Sequence, residues 1–259
     1  MSKETTQPTR EAPVPLIVKA GRGNLGGSTF LTVICEIAAS ASRKFLMADG
    51  DMRNPGISAS PLYARYGLPR PVSEDEHDIS EWFSMVFSAA TEQRLPLVLD
   101  IGGGDRTMEQ WAAEVDLVAF AESAGLEVCG LFFCGGDADD LAYINQLWKT
   151  GKFRPTKGAV VFNAMTVPSG TAGNTILRSR AKDPLLEPLF DAGIETLEFP
   201  KLGCMSAVKE TGLSYHDAAA GKPGKGGKPI DPVKRFTVSR WLKNTQHNIE
   251  VAGLWELLP

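Results

Sequence analysis

The chain has 259 residues, 43% apolar and 22% charged, with a net charge of −4 and a pI near 5.5. That describes an ordinary soluble globular chain, long enough for one large α/β domain or two small ones. The mild acidity excludes a general attraction to nucleic acid or anionic lipid, so any such contact has to come from a local patch.

Residues 1–13 read as a disordered tail, and MSKETTQPTREAPVP lacks the apolar segment of a signal peptide. No stretch approaches the ~20 apolar residues of a membrane span. The four cysteines (Cys35, Cys129, Cys134, Cys204) show no metal or CxxC spacing and read as buried reduced thiols, so a cytoplasmic location is expected. Val14 to Val18 form a short apolar run that predicts a buried strand. Four glycines follow within seven residues, and Ser28-Thr29 then opens an amphipathic helix over 27–42.

FLMADGD (45–51) reads as a second strand ending in two carboxylates, followed by an irregular connection to 77. A helix is expected over 78–94, a third strand over 96–104, a short helix over 106–115 and a fourth strand over 116–123. EVCGLFFC (127–134) reads as a fifth strand, 137–150 as a helix with an acidic start, and 157–165 as a sixth strand. The run 174–193 is helical, with Pro184 and Pro188 interrupting it, and 195–200 reads as a seventh strand. A helix near 203–211, a loop over 216–230 with three lysines and four glycines in GKPGKGGKP, and an amphipathic helix over 231–257 complete the chain. That loop reads as a flexible solvated linker or a contact for anionic surfaces. The last helix, with Phe236, Trp241, Leu242, Ile249, Leu254 and Trp255, is expected to dock on the domain, and His77, His216 and His247 to lie on the surface.

Strands of nearly continuous apolar residues alternating with helices predict a three-layer α/β domain over 14–215. Its seven- or eight-stranded, mostly parallel sheet is covered by helices on both faces, and the C-terminal helix (231–259) follows the loop.

The strand–glycine-loop–helix junction is the expected site, because backbone N–H groups converge there and the helix dipole favours a phosphate. Two motifs overlap. Gly21-Arg22-Gly23-Asn24-Leu25-Gly26 fits the dinucleotide fingerprint G-x-G-x-x-G, and Gly21 to Ser28 fits the phosphate loop G-x-x-x-x-G-K-[ST] with Gly27 at the lysine position. A dinucleotide site can use Asp49 or Asp51, 23 and 25 residues after Gly26, but leaves Ser28-Thr29 and the turn Asp100-Ile101-Gly102-Gly103-Gly104 unexplained. A nucleoside triphosphatase explains them: Ser28 supplies a hydroxyl to Mg²⁺, an acid from a neighbouring strand end holds its water shell, and the glycines after Asp100 let backbone approach the γ-phosphate. This reading, a three-layer P-loop NTPase-type fold, accounts for more of the residues.

VKAGRGNLGGST aligns without gaps on x-x-x-G-K-G-G-x-G-K-[ST]-T, and on those residues the chain resembles the deviant Walker A ATPases of the ParA/MinD family. Asp49-x-Asp51 is similar to that family's acid pair, and Asp100 with its glycines to its D-x-x-x-G turn. The resemblance covers roughly 14–215. It implies ATP or ADP with Mg²⁺, held by Gly21, Arg22, Gly23, Asn24, Leu25, Gly26, Gly27, Ser28, Thr29 and Gly103, with Asn163 at the adenine. It further implies metal-holding roles for Ser28, Asp49 and Asp100, an Asp51 that orients the attacking water, and an Arg22 that reaches a partner's nucleotide. The corresponding biology is a nucleotide-dependent homodimer in plasmid partition, stability or conjugative mobilisation, with DNA or a partition or mobilisation protein as partner.

Two departures set limits. The signature lysine is Arg22, which keeps a charge able to fork onto phosphate. The β/γ-phosphate lysine is Gly27, which offers only backbone. Losing one charge-assisted contact costs on the order of 2–4 kcal/mol of transition-state stabilisation, about 30- to 1000-fold in rate. The expectation is therefore a nucleotide switch with weak or slow hydrolysis. The alternatives are a pseudo-ATPase serving as an assembly module, and a Rossmann-type oxidoreductase.

Overall fold

The computed structural model describes residues 12–101 and 114–259. Six parallel strands form one sheet: β1 (Val14–Ala20), β2 (Leu46–Asp49), β3 (Leu97–Asp100), β4 (Leu126–Cys134), β5 (Lys157–Asn163) and β6 (Glu195–Phe199), in the spatial order β2-β3-β1-β4-β5-β6. β1 lies between β3 and β4, with Leu16 facing Leu97 on one side and Val128 on the other. β2 and β3 are four residues each and fully buried, which explains their unbroken apolar runs.

Each strand splits its side chains between two apolar layers. Val14, Leu16 and Val18 join one layer with α3 (Glu76–Gln93), α4 (Leu117–Ser123), α5 (Ala138–Lys149), α6 (Thr171–Arg180) and α7 (Glu187–Asp191). Ile17 joins the other with α1 (Gly27–Ser40), α8 (Met205–Thr211), α9 (Tyr215–Ala219) and α10 (Pro232–Val251). The three-layer α/β arrangement is the one expected, with six strands among the described residues rather than seven or eight.

The missing strand is 116–123. Its apolar run suits either conformation, but Asp116 adopts φ 50° and its carboxylate accepts from the Ala119 amide at 3.2 Å, starting α4. Leu117 and Ala121, one helical turn apart, are the residues this helix buries. The helical run 174–193 is divided as its prolines require: α6 ends at Arg180, and Pro184 and Pro188 occupy the first turns of a 3-10 turn and of α7, where no N–H is needed. A 3-10 turn at Ile57–Ala59 and the short helix α2 (Tyr63–Tyr66) lie within the stretch read as irregular. The expected helix over 106–115 falls mainly outside the described residues.

α10 docks through Val238, Trp241, Leu242 and Ile249, and the Trp241 indole donates to the Pro200 carbonyl at 2.7 Å. Phe236, expected in the docked stripe, is 67% exposed. Cys35, Cys129 and Cys134 are buried and unpaired, and burial pushes the last two up to about 12, so none offers a thiolate at neutral pH. His216 is half-buried rather than on the surface. No helix among the described residues is long and apolar enough to cross a membrane.

Candidate functional site

All the expected site residues that are described belong to the carboxyl edge of the sheet, where β1 hands over to α1. Gly26 is the N-cap of α1 in the left-handed region (φ 80°), and a Cβ there would run into the Asn163 side-chain nitrogen. Glycine is therefore required twice, by backbone conformation and by space. Gly21 carries φ 154° and packs on Phe133, 3.1 Å from where its own Cβ would sit. No side chain caps α1, and the amides of Gly27, Ser28 and Thr29 find no acceptor among the described residues. The residues Gly26 to Thr29 are partly exposed. A helix start left open in this way presents converging donors and partial positive charge to an anion.

Asn163 ends β5 and is buried. Its Nδ2 donates to the Leu25 carbonyl at 2.6 Å and its Oδ1 accepts from the Met165 amide at 2.9 Å. The first bond anchors the glycine loop to the tip of β5, and the second holds the amide against its own turn. Arg22 turns the other way, toward the start of α5: its Nη1 lies 3.2 Å from Asp137, 3.4 Å from Asp140 and 3.8 Å from Asp139.

Asp49 and Asp100 are directly opposed in the β2–β3 pairing, and both are fully buried. Asp49 folds its own loop back: Oδ1 accepts from the Asp51 amide at 3.0 Å, and Oδ2 from the Gly56 and Ser58 amides at 3.0 and 2.8 Å. Asp51 does the same one turn later, accepting from the Arg53 and Asn54 amides at 3.2 and 2.7 Å. Burial pushes the Asp100 carboxyl upward, against the pull of Lys19. Gly103 lies outside the described residues.

Lys19 is the residue that motif reading passes over. Its Nζ lies 2.6 Å from Asp100 Oδ1 and donates to Ser28 Oγ at 2.9 Å, with the side chain only 12% exposed. Strand alternation is the signal that points to it. Ile17 and Lys19 share the face of β1 that α1 covers, so a lysine ending that strand must pass beneath the first turn of α1.

This arrangement does not fit a hydrated Mg²⁺. Such an ion needs a near-octahedral oxygen shell at about 2.0–2.1 Å, whereas Ser28 and Asp100 already hold an ammonium between them. The loop at Gly56 passes close to the same pair and clears it only for want of a side chain, since a Cβ there would lie 2.6 Å from Ser28 Oγ. No group of three or more histidine, cysteine, aspartate or glutamate side chains among the described residues is disposed to hold a metal.

No protein-family model matches the chain, and no curated protein does. Among solved structures it is similar to the MinD cell division protein of Aquifex aeolicus, at 13% identity and a TM-score of 0.49 over 88% of this chain and 97% of that one. FtsY of Mycoplasma mycoides gives 15% identity and a TM-score of 0.49 over 92% and 70% of the two chains. A nucleotide-binding protein of Archaeoglobus fulgidus, solved in complex with ADP, gives 13% and 0.40 over 89% and 87%. At these values the likeness assigns neither ligand nor partner to this chain.

Proposed function

We propose that the chain is a ParA/MinD-like nucleotide-binding protein that takes the phosphates of ATP or ADP on the β1–α1 loop and hydrolyses ATP weakly or slowly. The observation that carries this reading is the uncapped start of α1, held open by Gly26 and tied down through Asn163. Backbone amides of Gly27, Ser28 and Thr29 are the donors to phosphate, and the loop needs no rearrangement to offer them.

Slow turnover follows from what the remaining residues are doing. Position 27 carries no ammonium, Arg22 is engaged by the acidic start of α5, and Oδ1 of the Asp51 carboxylate accepts from its own loop amides. By its sequence resemblance the setting is plasmid partition, stability or conjugative mobilisation, with bound nucleotide controlling the pairing of two copies.

Calorimetric titration with ATP and ADP tests the reading, with phosphate release followed in parallel. The expected result is binding below about 1 mM with turnover far under that of a loop that carries its lysine. Absence of nucleotide binding would overturn it in favour of an assembly module that has lost the ligand. That second reading is favoured by Gly27, which leaves the loop without an ammonium of its own for phosphate. Enhanced NAD(P)H fluorescence on mixing would instead favour a dinucleotide enzyme.

A further inference from the structure

We propose that Lys19 is the resident cation of this site: its ammonium stands between Ser28 and Asp100 where a divalent metal would sit, so that the loop takes nucleotide phosphates without a metal ion. The inference rests on the nucleotide-binding reading and names the counter-charge that reading requires.

Three observations converge on it. The ammonium contacts both Ser28 Oγ and Asp100 Oδ1, at 2.9 and 2.6 Å, and these are side chains that a P-loop enzyme gives to its metal. Asp49, the other candidate ligand, has each carboxylate oxygen bonded to loop amides. Finally, Gly27 makes room for the lysine. A Cβ at position 27 would lie 2.8 Å from Lys19 Cδ, inside any real contact distance.

The glycine at 27 and the lysine at 19 are thus one device. A loop lysine at 27 and a strand lysine at 19 compete for the same space beneath the first turn of α1. A tethered monovalent cation costs no dehydration of an aqueous ion on binding, but it carries half the charge of Mg²⁺ and cannot organise a water shell. Phosphate binding through the amides of Gly27 to Thr29 survives this exchange; metal-assisted hydrolysis does not.

The test is a titration of the full chain with ATP and with ADP, in EDTA and in excess Mg²⁺. Equal affinity within about threefold in the two conditions is expected, and binding that appears or tightens about tenfold or more only with Mg²⁺ overturns the proposal. Lys19→Ala should weaken binding in EDTA about tenfold or more and regain it when Mg²⁺ is added; unchanged binding in EDTA counts against the proposal. Gly27→Ala keeps the lysine but displaces its stem, and should acquire the same Mg²⁺ dependence should Lys19→Ala fail to fold. If no nucleotide titrates in either condition, the nucleotide-binding reading fails by itself, and Mn²⁺ titration followed by electron paramagnetic resonance then decides the role of Lys19. In that case Lys19→Ala takes up an ion that the wild type excludes, and loses it again in combination with Asp100→Asn. Equal Mn²⁺ binding by wild type and Lys19→Ala overturns the assignment.

Discussion

α1 and α5 follow neighbouring strands, β1 and β4, and both begin at the same edge of the sheet, yet they treat their first-turn amides in opposite ways. α5 satisfies itself: Asp137 caps it by accepting from the Asp139 amide at 3.0 Å, and Asp139 and Asp140 complement its dipole. α1 has a glycine at that position, no acid in its first turn and no capping side chain. A third start, α9, is capped by Ser214 and also by Glu36, a carboxyl brought from the buried face of α1 to accept from the His216 amide at 3.1 Å. One helix start therefore carries its own acids, one borrows a carboxyl, and one is left uncapped and partly exposed. The difference lies in single residues at the cap, since the strands and helices around them are built alike.

The largest expected effect comes from the borrowed carboxyl. Burial lifts Glu36 from its ordinary 4.5 to about 8, with the His216 and Tyr215 amides pulling the other way. Between those values the folded state keeps a proton that the unfolded chain has lost, so stability falls as pH rises from about 5 to about 8, by up to about 5 kcal/mol, and is flat below that window. Urea unfolding across that range measures the slope, and Glu36→Gln should remove it. An unchanged slope in the variant would mean that the carboxyl is not what distinguishes α9.

Next in size is Asp100→Leu, which leaves the Lys19 ammonium without its buried partner. A loss of about 3–5 kcal/mol is expected in denaturant titration, and the double variant with Lys19→Met should recover most of it. Gly26→Val forces a branched residue into the left-handed region and onto Asn163, for about 2–3 kcal/mol together with loss of nucleotide binding by calorimetry. Asp137→Ala makes the start of α5 resemble that of α1, and a fall in melting temperature of about 2 °C is expected. The smallest effect belongs to Arg22→Ala, which loosens an exposed contact between the loop and α5. Scanning calorimetry should find no measurable change in stability, and a shift as large as that of Asp137→Ala would show the two helix starts to be coupled.

Much of the architecture was legible in the sequence because apolar periodicity and glycine placement are local signals. The buried runs of β1, β2 and β3, the glycine loop, and the acidic start of α5 all announce themselves in a few consecutive residues. The segment 116–123 did not, because DLVAFAES satisfies both periods and only the Asp116 cap decides for the helix. Phe236 sits in an apolar stripe on paper and faces solvent in the fold, since the rotation of α10 is fixed by Trp241 against Pro200 and not by the stripe itself.

The site divides in the same way. Sequence alone determined that backbone donors gather between Ala20 and Thr29 and that three aspartates gather at the ends of two strands, because both follow from strand ends and glycine spacing. Only the tertiary structure decided what those aspartates face: loop amides for Asp49 and Asp51, and an ammonium for Asp100. The physical reason is that charge pairing depends on distances across elements. Lys19 and Asp100 are 81 positions apart in the chain and meet because parallel pairing of β1 with β3 brings their carboxyl ends side by side.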